Sequence, residues 1–143
     1  MKWGIIIGAV LAVVAGLFYF GQQGGTGQSA ETAALPEGAL AEVSLPASLT
    51  QEEQMGERAF AAVCADCHGT NAQGQDGVAP PLVHKIYEPS HHGDMAFLLA
   101  AKNGVRAHHW KFGNMPPVAG VTQSDVTNIV AYVRALQRAN GIE

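Results

Sequence analysis

The pattern of hydrophobic and polar residues divides the chain of 143 residues into three parts, and the first is strongly apolar. Residues 3–20 form an unbroken run of apolar residues and glycine, preceded by the single charge of Lys2. As a helix this run would span roughly 27 Å, close to the hydrocarbon thickness of a bilayer. We therefore predict a transmembrane anchor over residues 1–20, with a cleaved signal peptide as the alternative. Because the next cation is Arg58, the charge pattern predicts a cytoplasmic N-terminus.

The second part, residues 21–49, is rich in Gly, Gln, Ser, Ala, Thr and Glu and contains no aromatic residue. Its apolar residues do not recur with a helical period, so this part is predicted to be a flexible linker. The alternative is an ordered segment that docks weakly on the following domain through Leu35, Leu40, Val43 and Leu45.

The third part, residues 50–143, shows helical periodicity and predicts an all-α domain. Thr50 and Glu53 have the spacing of a capping box, and Thr122 and Asp125 repeat it before the last helix. Asp94 is the predicted N-cap of a middle helix that ends at Gly104, while the last helix ends near Gly141. The residues predicted to face inward are Gly56, Phe60, Val63, Phe97, Leu98, Ala101, Val126, Ile129, Val130, Val133 and Leu136.

Composition narrows the possible functions and the sources of stability. The formal net charge is −4 and the eight Lys and Arg residues form no run, so the chain shows no basic surface for nucleic acid. The only two cysteines lie three positions apart, which excludes disulfides between distant elements. A domain of this length has a marginal core, to which a large apolar cofactor would add much.

The two cysteines belong to the sequence Cys64-Ala65-Asp66-Cys67-His68, a spacing typical of c-type haem attachment. On one helical turn both thiols project to the same side, where they can add to the two vinyl groups of a porphyrin. His68 then lies beneath the iron as an axial ligand. A zinc site would need two further ligands at matching spacing, and a thioredoxin-like pair would need a βαβ setting that the pattern does not show.

With this motif, residues 50–143 resemble the class I cytochromes c. The resemblance rests on the haem motif, a Gly-rich loop followed by proline, a loop methionine and an amphipathic C-terminal helix with an aromatic residue. It implies a class I cytochrome c fold, in which crossed N- and C-terminal helices surround one covalent haem c. Gly56, Phe60 and Tyr132 match the family's positions at that helix crossing.

The resemblance also implies roles for residues beyond the motif. The carbonyl of Pro80 is expected to orient His68 by accepting its Nδ1 hydrogen. Met115, within Gly-Asn-Met-Pro-Pro, resembles the family's loop methionine and is expected as the second axial ligand, with His108 or His109 as the alternative. Arg106 and Trp110 are expected to contact the haem propionates.

Five further histidines lie within 26 positions, at 84, 91, 92, 108 and 109. One hypothesis is a second metal site, for example for copper, at His91, His92, His108 and His109. The intervening helix would separate the two pairs by roughly 15 Å unless the chain folds back. The alternative is that these are solvated or hydrogen-bonded loop residues on a locally positive face that steers an acidic partner.

Together these features predict an electron-transfer protein rather than an enzyme. The expected arrangement is a single-pass protein of the bacterial cytoplasmic membrane, with its haem domain on the periplasmic side. It would shuttle single electrons between respiratory or photosynthetic membrane complexes, its redox partner proteins. The alternatives are a haem subunit of a larger oxidoreductase complex, a haem sensor or peroxidase-like enzyme, and a copper-handling protein that uses the histidine-rich loops.

Overall fold

The computed structural model describes residues 35–143, so the predicted anchor and the first part of the predicted linker lie outside the described residues. The described chain is helical. Its elements in order are α1 Gln51–Val63, α2 Ala65–His68, a 3-10 turn Lys85–Tyr87, α3 Asp94–Asn103 and α4 Gln123–Ala139. Across residues 35–143 there is no β-strand, only two isolated antiparallel bridges. None of the helices in this range is long and apolar enough to cross a membrane.

Helices α1 and α4 cross closely, as the resemblance implied. At Gly56 a methyl group would lie 1.9 Å from the backbone oxygen of Asn128, so the two helices meet where α1 has no side chain. Next to this point the rings of Phe60 and Tyr132 are 5.7 Å apart. At the edge of the crossing, Arg138 of α4 donates a hydrogen bond to the buried Glu53 carboxylate in the first turn of α1.

The predicted capping boxes at Thr50 and Thr122 are both present. The N-cap of α3 differs from the prediction, because Gly93 takes that position and Asp94 is the first helical residue. The Asp94 carboxylate instead accepts a hydrogen bond from Arg134 Nε at 2.8 Å.

The buried core joins α1 and α4 to the loop that follows α2. Its central members are Phe60, Ala72, Val83, Ile129, Tyr132, Val133 and Leu136. Val63 was predicted to face inward, yet 40% of its surface is exposed. The difference arises because Val63 lies at the edge of a cavity rather than in the core.

Residues 38–49 lie along the domain, which differs from the flexible linker predicted up to residue 49. The amides of Leu40 and Ala41 both donate to the Gln73 carbonyl, at 3.2 and 3.0 Å. Farther along, Ser44 exchanges two hydrogen bonds with the Asn140 side chain, each 2.9 Å long. Of the four side chains named for docking, Val43 packs against the core, whereas Leu35, Leu40 and Leu45 are exposed.

Candidate cofactor site

Helix α2 places the Cys-x-x-Cys-His motif at the wall of a cavity of about 490 Å³. Cys64, Cys67 and His68 all line this cavity. Cys64 is half-buried, Cys67 is exposed and His68 is buried. The helix ends at Gly69, whose φ of 77° lies in the left-handed region that favours glycine. One short helix therefore presents two thiols and an imidazole to the same space.

The orientation of His68 is fixed by a hydrogen bond. Its Nδ1 lies 2.9 Å from the carbonyl oxygen of Pro80, the residue expected in this role. Because a carbonyl oxygen only accepts, Nδ1 carries the hydrogen and Nε2 keeps a free lone pair. Burial lowers the pKa of His68, and the hydrogen bond to Pro80 offsets part of that shift. The ring is thus held as a neutral ligand with one nitrogen available.

The Cys64 thiol lacks the lowered pKa of a catalytic dithiol pair. Burial, with the neighbouring Cys67 adding to it, raises the pKa of the Cys64 thiol to about 11. Catalytic Cys-x-x-Cys pairs depend instead on a lowered thiol pKa. The environment of Cys64 therefore disfavours the thioredoxin-like alternative.

Met115, which lies much later in the chain than the cysteine motif, also lines this cavity. It forms a bridge with Val105, in which each amide donates to the other residue's carbonyl, at 2.9 and 3.0 Å. Gly104 makes this approach possible, because a methyl group there would lie 2.5 Å from the Met115 oxygen. Met55 and Met95 are 39% and 61% exposed and do not line the cavity. Of the described methionines, Met115 alone is placed to contact a group in the cavity.

Trp110 and Arg106, both expected at the haem propionates, are placed differently. Trp110 lines the cavity, and its buried Nε1 has no hydrogen-bond partner among residues 35–143. Burial raises the pKa of the neighbouring Tyr87 hydroxyl, and the Trp110 indole N–H offsets part of that shift. Arg106 is exposed and does not contribute to the cavity lining. Trp110 thus offers a free donor to a carboxylate, whereas Arg106 is not brought to the cavity.

The donor groups and the lining of the cavity fit a covalently attached haem. The donor set supplies two thiols for covalent attachment, an imidazole nitrogen and a thioether sulfur for iron. The remaining lining is mainly aliphatic and aromatic, and the cavity volume lies within the roughly 300–1,000 Å³ of cofactor sites. The unpaired Trp110 Nε1 gives an anionic edge a place to bind. Cys64, Cys67, His68, Met115 and Trp110 are therefore suited to hold a haem.

A buried polar network beside this cavity was not predicted from the amino-acid sequence. Arg134, only 7% exposed, donates to the carbonyls of Tyr87 and His92, to Asp94 and to the Gln137 side chain. Gln137 in turn donates to the Leu82 and Tyr87 carbonyls at 2.8 and 3.0 Å. The available signal was an arginine between Val133 and Ala135, on the apolar part of the last helix.

The four histidines at 91, 92, 108 and 109 come together, although the helix between the pairs was expected to separate them. The ring centroids of His91 and His109 are 5.5 Å apart, and those of His92 and His109 are 5.3 Å apart. His92, His108 and His109 also line the cavity, so the cluster lies at its rim. His84 contacts Trp110 instead, with ring centroids 5.1 Å apart.

Comparison with known proteins agrees with this geometry. A family model for cytochrome c matches residues 53–137. The chain is 38% identical over 103 residues to the "Cbb3-type cytochrome c oxidase subunit CcoP" of Rubrivivax gelatinosus, an alignment that covers 68% of this chain and 31% of that protein. The chain thus spans about a third of the length of this relative. With more than half of its residues matched by the family model, the chain belongs to the cytochrome c family.

Proposed function

We propose that this protein is a one-electron carrier with a single covalently attached haem, whose iron is ligated by His68 and Met115. The observation that carries the proposal is the convergence of Cys64, Cys67, His68 and Met115 on one cavity. These side chains come from two segments about 50 residues apart, and each offers a group that haem attachment or ligation needs.

Each residue has a defined task in this proposal. Cys64 and Cys67 hold the porphyrin rim, and His68 presents Nε2 to the iron while Pro80 fixes the ring. When bound, the haem supplies one-electron exchange at its iron. Met115 would supply a second ligand to the iron, which would leave no site for a substrate and favours a carrier over an enzyme.

The proposed location rests on the amino-acid sequence. The apolar residues 3–20 support a single-pass anchor in the bacterial cytoplasmic membrane, and the charge pattern supports a periplasmic haem domain. A domain confined to the membrane surface has a raised effective concentration at membrane-bound partners. This arrangement suits a carrier that shuttles electrons between membrane complexes.

A second candidate function is that of a fixed haem subunit in a terminal oxidase. It is supported by the similarity to a protein named as a subunit of a cbb3-type cytochrome c oxidase. Purification of the tagged full-length chain from mild detergent distinguishes the two. A shuttle elutes alone, whereas a fixed subunit elutes with stoichiometric oxidase subunits and oxidase activity.

The ligation is tested by replacing Met115 with alanine and recording absorption spectra of the oxidised and reduced protein. We expect the variant to lose the weak far-red sulfur-to-iron band, to bind carbon monoxide when reduced and to have a lower reduction potential. Met55→Ala and Met95→Ala are matched controls, since both side chains are exposed and outside the cavity lining.

Two results would contradict this ligation. One is a far-red band that persists in Met115→Ala and disappears in a control variant. The other is a wild-type protein that lacks the band and binds carbon monoxide, which would leave an exchangeable axial position and favour a sensor or peroxidase-like enzyme.

A further inference from the structure

Three histidines at the rim of the cavity have the geometry of a second metal site. One ring nitrogen from each of His91, His92 and His109 lies within 4.8 Å of the others. The rings of His91 and His92 are 4.7 Å apart between centroids, and His109 closes the triangle. Neutral imidazole nitrogens are preferred ligands of zinc and copper, whereas calcium and magnesium prefer oxygen.

The backbone holds the two loops of this cluster in place. His91 and His92 precede α3, and the bridge between Val105 and Met115 turns the chain back after that helix. On the returning loop, the amide of Ala107 donates to the Asn114 side chain at 2.9 Å. Hydrogen bonds elsewhere in the loops therefore help to bring the two histidine pairs together.

His92 is the most firmly positioned member of the cluster. Its Nδ1 lies 2.6 Å from the Ile86 carbonyl oxygen, which fixes the hydrogen on Nδ1 and leaves Nε2 free to bind a metal. A hydrogen bond of this kind is typical of histidines that ligate metals. The His92 carbonyl also accepts from the buried Arg134 of α4, so the last helix fixes the backbone at this point.

His91 and His109 are exposed, so their rings can adjust. A metal about 2.0–2.1 Å from three nitrogens draws them to about 3.3 Å from one another. The three nitrogens, now within 4.8 Å of one another, must therefore move closer together, and we expect that movement in the two exposed rings. Three protein ligands leave a fourth position open to water or to a ligand from outside.

We propose that His91, His92 and His109 bind one divalent transition-metal cation, Zn²⁺ or Cu²⁺, at the rim of the haem cavity. His108 is not part of this ligand group. Its Nδ1 lies 2.9 Å from the Arg106 carbonyl oxygen, and its ring stacks at 6.2 Å from His92. The proposal rests on the proposed ligation of the haem iron by His68 and Met115, because His109 can bind the cation only if it does not bind the iron.

The test is a calorimetric titration of the full-length, haem-loaded protein in detergent with zinc chloride. We expect saturable binding of one equivalent, with the affinity lowered about tenfold or more in His91→Gln and in His109→Gln. His92 is left unchanged because its Nδ1 also holds the Ile86 carbonyl. Two variants at exposed positions keep the test valid if one of them disturbs the loop.

His84→Gln is the matched control, since it removes an imidazole from the same side of the molecule but outside the ligand group. Its zinc affinity should equal that of the wild type, and the haem absorption spectrum should not change during the titration. Copper(II) chloride added to the zinc-loaded protein should displace zinc, as total metal content would show, because copper binds nitrogen sites more tightly.

Several outcomes would overturn the proposal. These are the absence of saturable zinc binding by the wild type, unchanged affinity in both His91→Gln and His109→Gln, and an equal loss of affinity in His84→Gln. A zinc-induced change in the haem spectrum of the wild type would also overturn it, because the cation would then be competing for the iron ligands.

Discussion

The crossing of α1 with α4 and the loops between residues 84 and 118 lie in one domain but are stabilised in different ways. At the crossing, apolar side chains interlock around Gly56, and Phe60 and Tyr132 are almost fully buried. The loops contain no buried apolar residue of that size, and their conformation depends on polar contacts such as those of Arg134. The crossing therefore tolerates little change in side-chain volume, whereas the conformation of the loops depends on a few hydrogen-bond donors.

The largest expected effect comes from Gly56→Ala, which would break the crossing. The new methyl group would lie 1.9 Å from the Asn128 oxygen, and backbone atoms cannot rotate away. We expect a loss of about 3 kcal/mol in the free energy of unfolding, or no recovery of haem-loaded protein. Urea denaturation followed by circular dichroism measures it. Ala61→Ser, which adds one atom at an exposed position of α1, should cost little.

A smaller but more local effect is expected from Arg134→Met. The side chain keeps its length, but the Tyr87 and His92 carbonyls lose a charged donor, at a cost of about 2 kcal/mol. Lys85→Met, which removes an exposed ion pair in the same region, should cost under about 1 kcal/mol. Equal denaturation midpoints for the two variants would show that the loops do not depend on Arg134.

The smallest effect is expected from Asn140→Ala, which releases the segment before α1. Both hydrogen bonds to Ser44 are lost, at an exposed site, so we expect about 1 kcal/mol or less. Hydrogen exchange should quicken at the amides of Leu40, Ala41 and Ser44. Exchange at the Val105 and Met115 amides should stay unchanged, and faster exchange there would mean that the segment stabilises the whole domain.

The same contrast explains which features were predictable from the sequence. The capping boxes at Thr50 and Thr122 and the helix crossing follow from local spacing or from the family pattern, and the structure contains them. The haem motif was likewise evident, since its residues are adjacent along the chain.

The features that were missed depend on contacts between distant residues. Asp94 was predicted as an N-cap from its position just before a helical pattern. Its actual partner, Arg134, lies 40 residues away in the sequence, so a local pattern could not indicate the contact. The docking of residues 38–49 depends on Gln73 and Asn140. The meeting of the histidine pairs depends on the turn that Gly104 permits before Val105.

Helix α4 provides one side of the crossing, the donors that hold the loops and the side chain that holds residues 38–49. It also follows the other described helices along the chain. Because ribosomes add about 5–20 residues per second, the roughly 70 residues that follow His68 up to the end of α4 take several seconds to emerge. Throughout that time α1 lacks α4, the helix that it crosses. Cys64 and Cys67 are therefore synthesised several seconds before the crossing of α1 with α4 can form.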